Sequence, residues 1–533
     1  MRKGRNGTPR MVTIGHGIVS KVPAPDFGNK AANLAEMASL DIPVPPAFAL
    51  NVSVCEDYFK SGGQLPGDVP ALLKEGIGVL EKATGLEFGS SKRPLLVSVR
   101  SGAPVSMPGI METILNVGLN PDTIRGLISM TGNPRFSWDS YRRLIEAFGT
   151  TVYGQERDIY HRISLKFLEQ EGIGDEVELD SFSLREMIGE YEHGFFTTLG
   201  RKFPENAYEQ LELATTAVIR SWESPRAVTF RSMNEMTGVR GTAVAIQAMV
   251  FGNMGMHSGA GVAFTRNPWT GKKELLLDFK FGAQGEDVVS GDQSATTQNE
   301  LKTAMPEVYQ NLVSIGNQLE RHFKDMQDME FTIQEERLYI LQSRSGKRAP
   351  LADLRIAVDL CNEGIISRQD ALGITAGIDL EHLVIERINT NDIPVATGLS
   401  ASGGVICGKI AFTSEDAELL ARDGPVILTR DTPSPDDIPG IKAADGLLTS
   451  RGARTSHAAV VARQLGKVCV VDCSDLEIDM EHHRCRMTGR EFREGDMITL
   501  DGTNGAVYAG CAEIIRKPPE DLISVIDEWK RTV

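Results

Sequence analysis

From Glu386 to Gly404 the chain reads ERINTNDIPVATGLSASGG, a stretch dense in Pro, Gly, Ser and Asn and too poor in apolar residues to run through the middle of a core. Such a stretch reads as a linker, so the residues on either side of it must fold around separate interiors. At 533 residues the chain also exceeds what one ordinary core holds. Length alone predicts roughly three or four domains.

Upstream of the linker, LLVSVR, TAVAIQAMV, GVAFTR, ELLLDFK, MEFTIQ and LYILQ read as strands set among helices, the pattern of an α/β or α+β fold. Between about 120 and 235 the strand signal fades, and SWDSYRRLIEAFGTTVYG and SLREMIGEYEHGFFTTLG space their apolar residues as helices do. The sequence therefore divides into a mixed domain over 1–350 with that helical insertion, and a helical connector and linker over 351–395. A β-rich domain over 396–512 and a C-terminal amphipathic helix over 513–533 follow. Short runs such as VICGKIAF, GPVILTR, KVCVV and MITL, each closed by turn residues, define the β-rich part.

Composition narrows the function classes. Apolar residues at 41% and charged residues at 24% are ordinary for a folded, water-soluble protein. A net charge of −16 opposes non-specific attraction to nucleic acid or to an anionic membrane, and no run approaches the roughly 20 apolar residues of a membrane span. The expected partners are thus neither nucleic acid nor membrane, and the expected location is cytoplasmic. The N-terminus is basic but lacks the apolar core of a signal peptide. Seven cysteines, scattered and without paired spacing, fit free thiols in a reducing compartment. Glu481, His482, His483 and Cys485 read as a surface turn rather than a metal site, since adjacent histidines point apart on any regular element.

The segment RGARTSHAAVVARQLGK, Arg451 to Lys467, carries the most chemistry. Thr455 or Ser456 can cap a helix that runs through AAVVARQL to Gly466, which puts His457 in its first turn. Unpaired amides and the positive end of the helix dipole favour an anion there and disfavour imidazolium. A neutral ring nitrogen is the nucleophile that phosphoryl transfer needs, with Arg451 and Arg454 placed to clasp the transferred group.

A nucleotide half is written less compactly. Lys30 lies in GNKAANLAEM at or inside a first helix, within reach of a phosphate. Arg100 ends the strand LLVSVR, and the Gly- and Pro-rich SGAPVSMPG after it can offer backbone amides, with Gly109 admitting close approach. Gln247 precedes a second glycine-rich loop, FGNMGMHSGAGVAF. In DMEFTIQEERLYILQSR, a hairpin turning at Glu335, Glu336 and Arg337 sets Glu330 opposite Gln342 and Asp328 opposite Arg344, all on one face. A carboxylate beside an amide oxygen suits magnesium on phosphates, and an arginine suits the phosphates themselves.

Several long motifs in the same order, VSVRSGAPVSMPGIMETILNVGLN, MVFGNMGMHSGAGVAFTRNPWTG, AQGEDVVSG, DMEFTIQEERLYILQSRSGKR and GLLTSRGARTSHAAVVARQLGKVCVVDC, resemble the pyruvate, phosphate dikinase family from about Gly28 to Gly510. The related phosphoenolpyruvate synthases carry a Thr-Cys-His form of the histidine motif, so Thr455-Ser456-His457 favours the dikinase branch. The resemblance implies an ATP-grasp-like nucleotide domain with a helical insertion, followed by a swivelling phosphohistidine domain. It implies that ATP and phosphate give AMP, pyrophosphate and phospho-His457. The group then passes to pyruvate or another small acceptor.

By the same resemblance His457, Arg451 and Thr455 are catalytic, and Lys30, Arg100, Gly109, Gln247, Asp328, Glu330, Gln342 and Arg344 hold ATP. Glu330 and Gln342 lie nearest Mg2+, and Arg143, Glu286 and Asp287 serve the phosphate partial reaction. Three departures from the family pattern stand out: Asn29 and Ala31 replace glycines beside Lys30, Ala260 replaces a hydroxyl-bearing residue in SGAG, and the barrel that binds pyruvate and phosphoenolpyruvate is not in this sequence. That barrel is expected on a separate protein. Two other readings are a phosphohistidine enzyme serving a different small molecule and a non-catalytic nucleotide-binding regulator.

Overall fold

A computed structural model describes residues 8–15, 22–103, 111–233, 236, 238–290, 298–432, 437–454 and 456–532. The chain forms two compact units, Met1–Gly255 with Tyr339–Gln342 and Met256–Leu338 with Ser343–Val533. The class is mixed α/β with several separate sheets, as the strand and helix spacing implies.

The first unit is built on a five-stranded sheet in the order Met11–Ile14, Ala47–Leu50, Ala243–Ala248, Val97–Gly102, Thr113–Val117. Its central strands are buried on both faces, which is why AVAI and AFAL are unbroken apolar runs and Ser98 alone interrupts LLVSV. Between the fifth strand and the Ala243 strand the chain is helical, and SLREMIGEYEHGFFTTLG becomes the helix Ser181–Leu199. Asp139 is buried in this part, on the helix Pro134–Ala147. Its carboxylate accepts from Arg142 at 3.1 Å, Arg143 at 3.0 Å and Asn253 at 3.2 Å.

A four-stranded sheet runs Arg337–Ser345, Gln327–Gln334, Gly259–Phe264, Leu276–Phe281, all of it in the second unit except Tyr339–Gln342. Helices Pro350–Asn362, Arg368–Thr375 and Glu520–Thr532 pack together through Leu354, Ala357, Leu360, Ala371, Leu522, Ile526 and Trp529. An eight-stranded sheet has four parallel strands side by side at Val405–Ala411, Val426–Arg430, Gly446–Thr449 and Val468–Val471. Period-two alternation sorts their side chains. Ile410, Ile427, Leu448 and Val470 join one core, while Ala411, Leu428, Leu447 and Val471 join the other. The second face is covered by short helices, among them His457–Gln464, whose Ala458, Ala459 and Ala462 let it lie close to the sheet.

The stretch read as a linker is largely strand. Ile385–Asn389 pairs with Glu513–Lys517 in a two-stranded ribbon, and Leu399–Ser402 forms an edge of the eight-stranded sheet. Gly398 explains why composition misled: a Cβ there would meet the Val471 carbonyl oxygen at 2.5 Å, so the strand needs the residue that marks turns elsewhere. The cysteines also depart from expectation. Cys407 and Cys511 form a disulfide across 104 residues, and Cys55, Cys361, Cys469, Cys473 and Cys485 remain free. In the His482–His483 turn, His482 pairs with Asp479 at 2.9 Å and His483 with Glu494 at 2.9 Å, while Cys485 is buried. Among the described residues no helix is long and apolar enough to cross a membrane.

Burial alone would raise the Asp139 carboxyl, but Arg143, Arg142 and Arg135 outweigh it and hold the group well below the usual carboxylate range. A depressed folded value gives stability that is complete above about pH 4 and is lost as the pH falls below it. Asp139→Asn leaves Arg142 buried without one of its carboxylates and should cost about 3 kcal/mol. Urea denaturation at pH 7 and between pH 5 and 3 checks both the loss and a flatter acid response in the variant.

Candidate active site

The first unit brings two of the expected phosphate ligands to one end of its sheet. The helix Ala24–Ser39 is kinked at Gly28, which adopts φ 77° and ψ 160° inside an otherwise helical run. The kink seats Gly28 on Gly102, at the end of the strand that carries Arg100. A Cβ on Gly28 would stand 1.8 Å from the Gly102 carbonyl oxygen. Lys30 and Arg100 each lie two residues from this contact, and both are half-buried. Ala31, in place of a family glycine, is fully buried in the helix, and the Asn29 amide donates to Ala103 O at 3.3 Å. Gln247 lies on the neighbouring strand opposite Ser98, buried, with its Nε2 donating to Pro45 O at 3.1 Å. Arg143 is paired with Asp139, and Gly109 lies outside the described residues.

In the second unit, Asp328 and Glu330 occupy the strand Gln327–Gln334. Arg344 Nε and Nη2 both reach Asp328 Oδ2 at 2.8 Å, which realises the expected pairing across this hairpin. The turn is shorter than expected. Only Glu335 and Glu336 connect the strands, both with positive φ, and Arg337 already belongs to the next strand. Burial pushes the Asp328 carboxyl up while Arg344 works against it. Its second oxygen, Oδ1, is buried with no hydrogen-bond partner among the described residues, as is Gln342 Oε1. Buried acceptor oxygens in this condition suit a hard cation or a donor brought by a ligand.

Ala260 falls in the strand Gly259–Phe264 rather than in a loop, opposite Thr332 and Lys280 and fully buried. Glu286 and Asp287 lie in the short helix Gly285–Ser290, where Asp287 accepts the Gln284 amide at 2.8 Å. The side chain of Glu286 is outside the described set.

His457 opens the helix His457–Gln464, with Ser456 as its cap accepting from the Ala459 amide at 3.2 Å. Thr455 and the His457 side chain lie outside what is described. Arg454 departs from its expected role as a phosphate clasp. Its Nη1 donates to Asp278 Oδ1 at 2.9 Å and to Leu277 O at 3.3 Å, and its Nε donates to Ser400 O at 3.1 Å. Asp278 is 3% exposed, and burial pushes its carboxyl up against the pull of Arg454 and Arg463. Arg463 lies 5.4 Å over the Trp269 ring and donates to Arg454 O at 2.9 Å and to Ala401 O. These contacts fasten the histidine helix against the Leu276–Phe281 strand. Arg451, by contrast, has an exposed side chain whose Nε lies 3.9 Å from Asp431 Oδ1, while its backbone amide donates to Asp431 O at 3.0 Å. Asp278, Arg463 and Trp269 escaped the sequence reading. The one signal was an acid inside the apolar run ELLLDFKF, which a buried strand tolerates only if a cation arrives from elsewhere.

With this geometry in view, the profile described as "Pyruvate phosphate dikinase, AMP/ATP-binding domain" matches residues 62–308 and 293–359, and "PEP-utilising enzyme, mobile domain" matches 422–505. The chain belongs to the pyruvate, phosphate dikinase family. It is 44% identical over 489 residues to "Pyruvate, phosphate dikinase 1, chloroplastic" of Zea mays, covering 91% of this chain and 52% of the relative. To "Pyruvate, phosphate dikinase" of Clostridium symbiosum it is 42% identical over 493 residues, covering 91% and 56%. The chain thus spans about half the length of the curated relatives it matches.

Gly28→Ala should lower stability by more than about 2 kcal/mol, because left-handed strain and a backbone collision coincide there. Gly62→Ala is the control: its φ is 75° but nothing lies within 4 Å, so only the left-handed penalty of about 1 kcal/mol applies. Thermal denaturation of the two variants separates the terms.

Proposed function

We propose that the chain is an ATP-dependent phosphotransferase that forms phospho-His457 from ATP and phosphate, releasing AMP and pyrophosphate. The observation that carries this reading is the Asp278–Arg454 pair, which holds the helix opened by His457 against the sheet that bears Asp328 and Glu330. At the first turn of that helix the dipole disfavours imidazolium and favours the anion that the ring acquires. The ring nitrogen attacks the β-phosphorus, the bond to the α-phosphate oxygen breaks, and AMP leaves. Phosphate then takes the terminal group as pyrophosphate.

Lys30, Arg100 and Gln247, with Gly109, are assigned to ATP, as are Asp328, Glu330, Gln342 and Arg344. Arg143, Glu286 and Asp287 are assigned to the phosphate step. Thr455 is assigned to the histidine site beside Arg451, whose exposed guanidinium is available to a transferred phosphoryl group. The partnerless oxygens of Asp328 and Gln342 fit magnesium, for which Glu330 and Gln342 are the assigned ligands. Bound there, the ion neutralises charge on the polyphosphate. The acceptor is pyruvate or another small molecule bound by a barrel outside these 533 residues, in the cytoplasm.

Incubation with β-labelled ATP, magnesium and phosphate should give acid-labile label on the wild type and none on His457→Ala, with pyrophosphate formed in step. Equal labelling of the variant, or none on the wild type, contradicts the proposal.

A further inference from the structure

The covalent paths between the eight-stranded sheet domain and its helical neighbours converge on the ribbon of Ile385–Asn389 and Glu513–Lys517. One strand leads into the sheet domain. The other leads out of it to the helix Glu520–Thr532, which is anchored by Leu522, Ile526 and Trp529. Glu386 ties the ribbon together and to the domain: one carboxylate oxygen accepts from Arg516 at 2.9 Å and the other from the Val405 amide at 2.8 Å.

The Cys407–Cys511 disulfide lies at the root of this ribbon. Cys511 stands two residues before the outgoing strand, and Cys407 lies in the strand that begins at Val405. Beside the sulfur bridge, three hydrogen bonds hold the exit. Thr499, the register partner of Cys407, accepts from the Ala512 amide at 2.9 Å and donates to Gly510 O at 2.7 Å, and the Gly510 amide donates to Met497 O. These bonds hold the chain on both sides of Cys511, so the two sulfurs stay neighbours when the bridge is open. With Cα atoms 5.3 Å apart, the bridge can reclose without a backbone shift.

Exposure separates Cys511 from the free thiols, of which Cys361 is half-buried. Cys511 is exposed and Cys407 half-buried, whereas Cys55, Cys469, Cys473 and Cys485 are buried. Burial pushes the thiols of Cys469, Cys473 and Cys485 up to about 12, which leaves them without thiolate at neutral pH.

We propose that Cys407–Cys511 is a reversible thiol–disulfide site, read by dithiol reductants, that sets how freely the ribbon flexes at its exit from the sheet domain. A thiolate of the dithiol attacks exposed Cys511 Sγ, the bond between the cysteines breaks, and Cys407 leaves as thiolate and takes a proton. The second thiol of the reductant displaces Cys511 and leaves as the oxidised dithiol. Two electrons thus pass to the protein, which gains two thiols. An oxidised dithiol runs the sequence backwards. The consequence for turnover rests on the phosphohistidine reading: the closed bridge restrains the domain that carries His457 at its exit, and the open one releases it.

The test needs no nucleotide, so its outcome is independent of whether His457 is phosphorylated. The full chain is equilibrated with oxidised or reduced dithiothreitol, denatured, alkylated with iodoacetamide and weighed. Five modified thiols are expected after oxidation and seven after reduction. In the folded protein, amide exchange over Ile385–Asn389 and Glu513–Lys517 should speed up several-fold on reduction. The C407S/C511S variant should exchange at the reduced rate whatever the reductant. Seven modified thiols in both conditions overturn the proposal, as does ribbon exchange that ignores the state of the bridge.

Discussion

The ion pair between Asp278 and Arg454 is what joins the turn before the histidine helix to the Leu276–Phe281 strand in the second unit. A carboxylate this deeply buried is unfavourable by itself, and an arginine arriving from 176 residues away makes its position tenable. Because Asp278 is buried and Arg454 spreads its donors over three oxygens, the geometry is narrow. Arg454 also holds Leu277 O and Ser400 O, so the turn before His457 can sit against the Leu276–Phe281 strand in few ways. Arg463, lying over Trp269 and donating to Arg454 O, fixes the backbone of that residue.

A site that depends on such a contact differs from one carved into a single core. The histidine helix belongs to a domain with its own two-sided interior, and that interior is complete without Asp278. Helix and strand therefore meet through a few polar contacts, the kind of surface that can form and part while both folds persist. The ribbon of Ile385–Asn389 and Glu513–Lys517 carries the covalent paths between that domain and its helical neighbours.

Much of the architecture was legible because burial writes itself into pattern. LLVSVR, TAVAIQAMV and GPVILTR read as strands since strands covered on both faces need continuous apolar residues, and HAAVVARQ read as a helix because cap and small residues agree. What stayed hidden depends on distance or on exceptions. Glu335 and Glu336 turn with positive φ where glycine or asparagine would have announced it, so the hairpin looked one residue longer. Composition disguised Leu399–Ser402 as linker because Gly398 before it lies against the Val471 carbonyl and Ser400 Oγ donates to Gly502 O. Arg454 looked like a phosphate ligand, since nothing local reveals that a carboxylate in ELLLDFKF claims it. The disulfide joins residues 104 apart and has no spacing signature at all. For the site, Asp328 with Arg344 was readable from strand periodicity. The roles expected of Lys30 and Arg100 rested on the family's motifs, and that of His457 also on its place at a helix start.

A double-mutant cycle on Asp278 and Arg454, read as the rate of acid-labile phosphorylation of His457 from β-labelled ATP, tests the central claim most directly. If the pair seats the histidine helix for transfer, Asp278→Ala and Arg454→Ala each slow the reaction and the double variant is little slower than either, a coupling above about 1.5 kcal/mol. Independent, multiplying effects, or single variants that react at the wild-type rate, would contradict it.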